Sequence, residues 1–233
     1  IELINIKNVE IICTQNCQPK AIINKSGIEI RGRSSRLKLN YRTTEEIRQT
    51  ASKMLEAYQY EDFSGAVATD KGDKSILNGN LPSYHVFSSR DEELDFLVKY
   101  IKESFGEVSL HAICIGARTK KAVEEIYDFI KSAKLPVKKL KELDDMSQLE
   151  GHIGVSTLHG IKGLEFKNVI VSGLSKKSFP MRIRDYNNWD DDKKQEYLKS
   201  EHALYYVAFS RAISNLVITG VGEKSDLVVG CNE

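Results

Sequence analysis

Three short segments gather residues whose types and spacing suit the binding of a planar, phosphorylated ligand. The first is Leu39-Asn40-Tyr41-Arg42-Thr43-Thr44, where an aromatic ring is followed directly by a guanidinium. That pair can stack a flat base and bind a phosphate; taken alone it reads more simply as a Tyr packed on a sheet with an Arg solvated at its edge. The second runs from Val155 to Phe166 and crowds His159, Gly160, Lys162, Gly163 and Glu165 at the exit of an apolar run. Glycines let backbone N–H groups approach an anion, and a carboxylate accepts hydrogen bonds from sugar hydroxyls. The third, Leu204 to Ala212, sets Arg211 in an otherwise apolar helical pattern. A guanidinium placed there needs an anion, either a structural carboxylate or a nucleotide phosphate.

The elements that must position these segments alternate between short apolar runs and helical stripes, which implies an α/β fold with a parallel sheet flanked by helices. Residues 9–13, 36–40, 84–88, 110–115, 153–157, 168–173 and 216–219 read as strands. Thr43 with Glu46 and Ser89 with Glu92 are spaced as capping boxes at helix starts. Ala122, Val123, Ile126 and Ile130 stripe a further helix, and a long helical pattern covers roughly 193–213. Residues 62–83 and 175–192 read as exposed insertions in a single domain spanning 1–233.

The 233 residues suffice for a substantial core. Charged residues make up 29%, yet the formal net charge is +1, so a highly basic scaffold is excluded while a local basic groove is not. No run is long and apolar enough to cross a bilayer, and no segment reads as a signal peptide. Ile1 in place of an initiating Met reads as a piece of a longer polypeptide. Cys13 and Cys17 lack CxxC spacing and have no second ligand pair, so no metal site is expected, and a reducing cytoplasmic compartment fits.

In this order the three segments resemble the UvrD/Rep/PcrA family of superfamily 1 DNA helicases. Its fourth motif looks like NYR(S/T), matched by Asn40 to Thr43; its fifth like TxHxxKGLEF, matched by Thr157 to Phe166; its sixth like YVAxTRA, matched by Tyr206 to Ala212. Gly27 to Ser34 also looks like one branch of that family. The resemblance implies a second RecA-like domain of the P-loop NTPase class, lacking its own phosphate-binding loop. It implies that Tyr41 stacks on adenine, that Arg42 contacts the γ-phosphate, and that Glu165 bonds the ribose in a loop shaped by Lys162 and Gly163. It implies that Arg211 is an arginine finger. Thr157 and His159 would face single-stranded DNA, with Arg118 and Lys120 at a DNA-contacting helix start, although Lys120 stands where asparagine is more usual.

Two departures matter. The third motif, like GDxxQ, corresponds to Thr14-Gln15-Asn16-Cys17-Gln18; Gln18 would be the γ-phosphate sensor, but the Gly-Asp start is missing. No GxxxxGK[ST] occurs in the chain, and Asp91-Glu92-Glu93 reads as first-turn helix capping rather than a metal-binding DExx. The resemblance therefore implies that ATP with Mg²⁺ is held largely by an N-terminal RecA-like domain of the same polypeptide, and that this chain is inactive alone. Residues 44–156 leave no room for a large inserted accessory domain between the fourth and fifth motifs. The expected activity of the whole is ATP-dependent 3′ to 5′ translocation on single-stranded DNA. The alternative is a non-catalytic DNA- or protein-binding domain derived from a helicase.

Overall fold

Strands buried on both faces should read as near-continuous apolar runs, and helices should cover each face. The computed structural model of the chain has this layering and describes residues 2–6, 9–13, 34–36, 39–55, 74–104, 109–228 and 231–232. Gln18, Cys17 and residues 27–33 lie outside the described residues. Strands β1 (Glu2–Ile6), β2 (Val9–Cys13) and β3 (Ser34–Arg36) form a small antiparallel sheet in the order β2-β1-β3. Strand β4 (Leu39–Thr44) leads into helix α1 (Glu45–Lys53) and pairs in parallel with β5 (Lys74–Leu77). The run expected as one strand over 36–40 is thus divided between β3 and β4, and the 62–83 stretch ends in a strand.

The main sheet has six parallel strands: β6 (Ser83–Phe87), β7 (Ile113–Ala117), β8 (Val137–Lys139), β9 (Ile153–Thr157), β10 (Phe166–Ser172) and β11 (Ala212–Val221). Their spatial order is β6-β11-β10-β7-β9-β8. Alternate residues feed two separate cores. Val169, Val171, Leu216 and Ile218 face the layer of α1 and of α4 (Asp191–Phe209), packing with Ile47, Tyr205 and Phe209. Ile170, Val217, Ile113 and Ile115 face α2 (Arg90–Ser104) and α3 (Lys120–Ser132), packing with Leu97, Ile101, Ile126 and Ile130. The period of two along each strand and of 3.6 along each helix produces this partition. Each fully buried Ile or Leu contributes roughly 2 kcal/mol of transfer free energy.

Two expectations about helix ends are corrected. The N-cap of α1 is Thr44, not Thr43, because Thr43 is drawn into the strand by a hydrogen bond from Asn40 Nδ2 at 3.1 Å. Glu46, free of the capping box, accepts the backbone N–H of Gly79 at 2.8 Å. Helix α4 stops at Phe209, short of 213, so Arg211 lies in the turn before β11 rather than in a helix. Half of the Ser89–Glu92 box forms: Glu92 N–H donates to Ser89 Oγ at 3.2 Å, while the Glu92 carboxylate reaches one residue further back and accepts Ser88 N–H at 2.9 Å.

A single carboxylate clips β5 to α1. Glu45 accepts from Arg48 (2.9 and 2.7 Å), Gln49 (2.9 Å) and the backbone N–H of Ser75 (2.6 Å). The Arg48 bond above all holds its pKa down at about 2, from an ordinary value of 4.5. A depressed folded pKa means stability that is present above the unfolded value and lost as pH falls through the folded one. Replacing Glu45→Gln should therefore lower the Tm at neutral pH. The gap to the unsubstituted protein should close as pH drops from 4.5 to about 2. Melting curves across that window test this; a gap that stays constant would remove the carboxylate from the account.

Candidate functional site

The residues singled out in the sequence fall into two groups at opposite ends of the main sheet. Thr157 pairs with Ala117 and Ala117 with Ser172, so these three mark one end; Phe166 and Ala212 are paired at the other. The six-residue rise from Phe166 to Ser172 at ~3.3 Å per residue separates the ends by roughly 20 Å. The segment 157–166 runs from one end to the other. Its turn is held by Gly160 N–H and Ile161 N–H donating to Thr157 O and by Leu164 N–H donating to Ile161 O, while Leu158 and Ile161 are wholly buried in the core. Gly160 sits where a Cβ would lie 2.3 Å from Ser156 Oγ, and Gly163 adopts φ +84, a left-handed conformation that a side chain would strain.

At the lower end, where β10 and β11 begin, Arg42, Glu165 and Arg211 come together. Arg42 sits at an irregularity in the pairing of β4, where its backbone N–H donates to Asn40 Oδ1 at 2.7 Å. Arg42 Nε is ion-paired with Glu165 Oε1. Beside Arg42 and Glu165, Phe166 N–H donates to Arg211 O at 3.0 Å, tying the second segment to the third. Arg211 is 6% exposed. Its guanidinium donates from Nε to Val207 O at 3.1 Å and from one terminal nitrogen to Ser210 Oγ at 3.2 Å, and among the described residues no carboxylate lies within ion-pair distance of it. Burial first, and then the charge of Arg42, pull its pKa below the ordinary arginine value, against a smaller opposing pull from Glu165. Tyr41 is 69% exposed at the same edge, so its ring is open to a ligand rather than packed on the sheet. Lys162 and Gly163 are exposed in the turn just ahead of Glu165.

At the upper end are Thr157, His159, Arg118 and Lys120. Thr157 Oγ1 accepts from Gly160 N–H at 3.1 Å. His159 is exposed beside Arg118, and burial of its ring together with that positive charge lowers its pKa. Lys120 opens α3, capped by Thr119 Oγ1 accepting from Ala122 N–H at 3.1 Å. Arg118 is engaged: it donates from Nε to both Glu201 oxygens at 3.1 Å and from a terminal nitrogen to Oε1 at 2.6 Å. Glu201, 2% exposed, also accepts Met181 N–H at 3.3 Å.

Sequence reasoning missed two buried carboxylates, Glu201 and Glu93. Glu93 is fully buried and not a mere first-turn cap: it binds Arg90 (2.6 Å), Ser172 Oγ (3.0 Å), Gly173 N–H (2.8 Å) and the Thr219 hydroxyl. The signal was in the spacing. Glu93 precedes Leu97 and Ile101, and Glu201 precedes Tyr205 and Phe209, at steps of four along each helix's apolar stripe. Among the described residues no cluster of His, Cys, Asp or Glu could hold a metal ion.

A parallel six-stranded sheet covered by helices on both faces matches the fold of a helicase C-terminal RecA-like domain. The family model described as UvrD-like helicase C-terminal domain matches residues 35–144 and 138–222, and the chain belongs to that family. Over 98 residues it is 31% identical to the ATP-dependent DNA helicase PcrA of Leuconostoc citreum, covering 42% of this chain and 12% of that protein. Over 96 residues it is 36% identical to a probable DNA helicase of Mycoplasma pneumoniae, covering 38% and 17%. A crystal structure of the C-terminal domain of a possible DNA helicase from Lactobacillus plantarum superposes with a TM-score of 0.58 at 20% identity, covering 83% of this chain and 95% of that one. The matched stretches of the chain thus cover less than a fifth of the length of these curated relatives.

Proposed function

We propose that this chain is the C-terminal motor domain of an ATP-dependent DNA helicase moving 3′ to 5′ on single-stranded DNA. The observation that carries the reading is Arg211: a buried guanidinium with no carboxylate partner among the described residues, set beside a second arginine. Two adjacent cations at a domain edge are costly unless an anion of high charge arrives between them, and a triphosphate is such an anion. Arg42 and Arg211 would meet the terminal phosphates, Glu165 the ribose and Tyr41 the base. The ion pair between Arg42 and Glu165 would open as each group takes its own ligand. Thr157, His159 and Lys120 would meet the DNA at the other end of the sheet, with Arg118 held in place by Glu201. Gln18 would sense the γ-phosphate. Closing against an N-terminal RecA-like domain would convert hydrolysis into steps, and that domain would supply the phosphate loop and the Mg²⁺ ligands. No described helix is long and apolar enough to cross a membrane.

The direct test is ATP hydrolysis with and without single-stranded DNA, by the full-length protein and by this chain alone. The expected result is DNA-stimulated turnover by the full-length protein and none by the chain. Turnover by the chain would overturn the division of labour. Full-length protein that binds single-stranded DNA but never hydrolyses ATP would establish the binding-only alternative.

A further inference from the structure

The 175–192 stretch is only partly exposed, and it carries a feature the proposed mechanism leaves unused. Phe179 packs edge-on against His202 and Tyr205, fastening the start of the stretch to α4. Beyond it, Tyr186, Trp189 and Tyr197 form a half-exposed three-ring cluster with centroids 5.6 to 5.7 Å apart. The cluster is continuous with the upper end of the sheet: Tyr197 Oη donates to Met181 O at 2.6 Å, Met181 N–H donates to Glu201, and Glu201 holds Arg118 beside His159. Lys193 Nζ lies 4.4 Å from the centroid of the Trp189 ring, and Arg182 and Arg184 are exposed nearby. Asp190 caps α4 by accepting Lys193 N–H at 2.7 Å, Asp191 is ion-paired with Lys194 at 3.8 Å, and Asp191 and Asp192 occupy the first turn, where a helix favours negative charge.

From this arrangement, and resting on the reading of the upper end as the DNA-facing one, we propose that the Tyr186–Trp189–Tyr197 cluster is a base-stacking station for a strand leaving His159 and Arg118. Half-exposed aromatics flanked by cations are the chemistry that holds unpaired bases while tracking a phosphate backbone. A strand crossing Arg118 meets these rings next. Duplex DNA, whose bases are already stacked on one another, gains nothing from them.

Trp189 is the chain's single tryptophan, which makes its fluorescence a direct reporter. The test titrates the protein with an oligothymidylate of about 12 nucleotides and with an abasic strand of equal length, which keeps the phosphates and lacks the bases. Binding is followed in parallel by the anisotropy of a labelled strand. The thymidylate should shift or quench Trp189 emission and the abasic strand should not. Trp189→Ala and Tyr186→Ala should each weaken thymidylate binding about tenfold or more, with abasic binding unchanged and the circular dichroism melt intact. Trp189→Phe should retain most of the affinity. Strands that bind while Trp189 stays silent and both alanine variants bind normally would overturn the station and leave the DNA-end reading standing. Unchanged Trp189 emission with no anisotropy change for any strand would overturn both.

Discussion

Arg211→Ala in the full-length protein should reduce DNA-stimulated ATP turnover by roughly 10³ to 10⁵, the range expected when an arginine that stabilises the transferring phosphoryl group is removed. The structure adds a second, opposite expectation. In the resting domain the Arg211 guanidinium is buried beside Arg42, and among the described residues its hydrogen bonds go to a backbone carbonyl and a hydroxyl rather than to a carboxylate. Among the described residues its removal strands no ion-paired carboxylate and relieves the cost of a buried, poorly compensated charge, so the Tm of the variant should match or exceed that of the unsubstituted domain. A structural arginine would give the reverse pattern, with a lower Tm and activity lost only in proportion. Arg211→Lys should not restore the rate, because an ammonium lacks the planar fork of donors. Turnover within tenfold of normal, or a Tm falling by many degrees, would remove Arg211 from the phosphate-binding role.

Glu93→Ala should produce the largest loss of stability of any single change at the upper end of the sheet. The carboxylate joins the first turn of α2 to the ends of β10 and β11 through Arg90, Ser172, Gly173 and Thr219. Truncation leaves several donors buried without an acceptor, and Arg90, whose remaining carboxylate is Glu125, loses its buried partner. Breaking a buried pair from one side costs about 3–5 kcal/mol, which for a domain of this size lowers the Tm by roughly 6–20 °C. Glu93→Gln should fall between, keeping some hydrogen bonds and losing the charge. Chemical denaturation giving a change under about 1 kcal/mol for the alanine variant would show that the network is not holding these elements together.

How much of this was legible beforehand follows from how local each decision is. Strand β9 is legible at its observed bounds, and three of the four residues of the α3 stripe, Val123, Ile126 and Ile130, are buried while Ala122 lies at its margin, because period and burial nearly coincide there. The three segments singled out for their chemistry stand out in the sequence for a different reason: their residue types are improbable in a plain core. The end of α4 was not. Tyr206 to Ile213 continues a helical pattern, but Ala212 is claimed by parallel pairing opposite Phe166, and a long-range partner outweighs local propensity. The division of the segments between two ends was also invisible, since it depends on β7 lying between β9 and β10, which no single segment records. Arg118 illustrates the remainder. Its neighbours suggest a helix start facing a ligand, while the carboxylate that holds it, Glu201, is 83 residues away.

The passage from Thr157 to Phe166 has little slack. Its tightly turned part, at about 1.5–2 Å of rise per residue, and its extended last step together span close to the roughly 20 Å that the sheet requires. The segment therefore behaves as a tie rod of fixed length and fixed phase. Inserting one residue would lengthen it slightly but would also rotate everything beyond the insertion by about 100°, so Leu158 and Ile161 could no longer both seat in the core. Tolerance here is set by angle before it is set by reach, which makes this stretch far less forgiving of length changes than a surface loop of the same size.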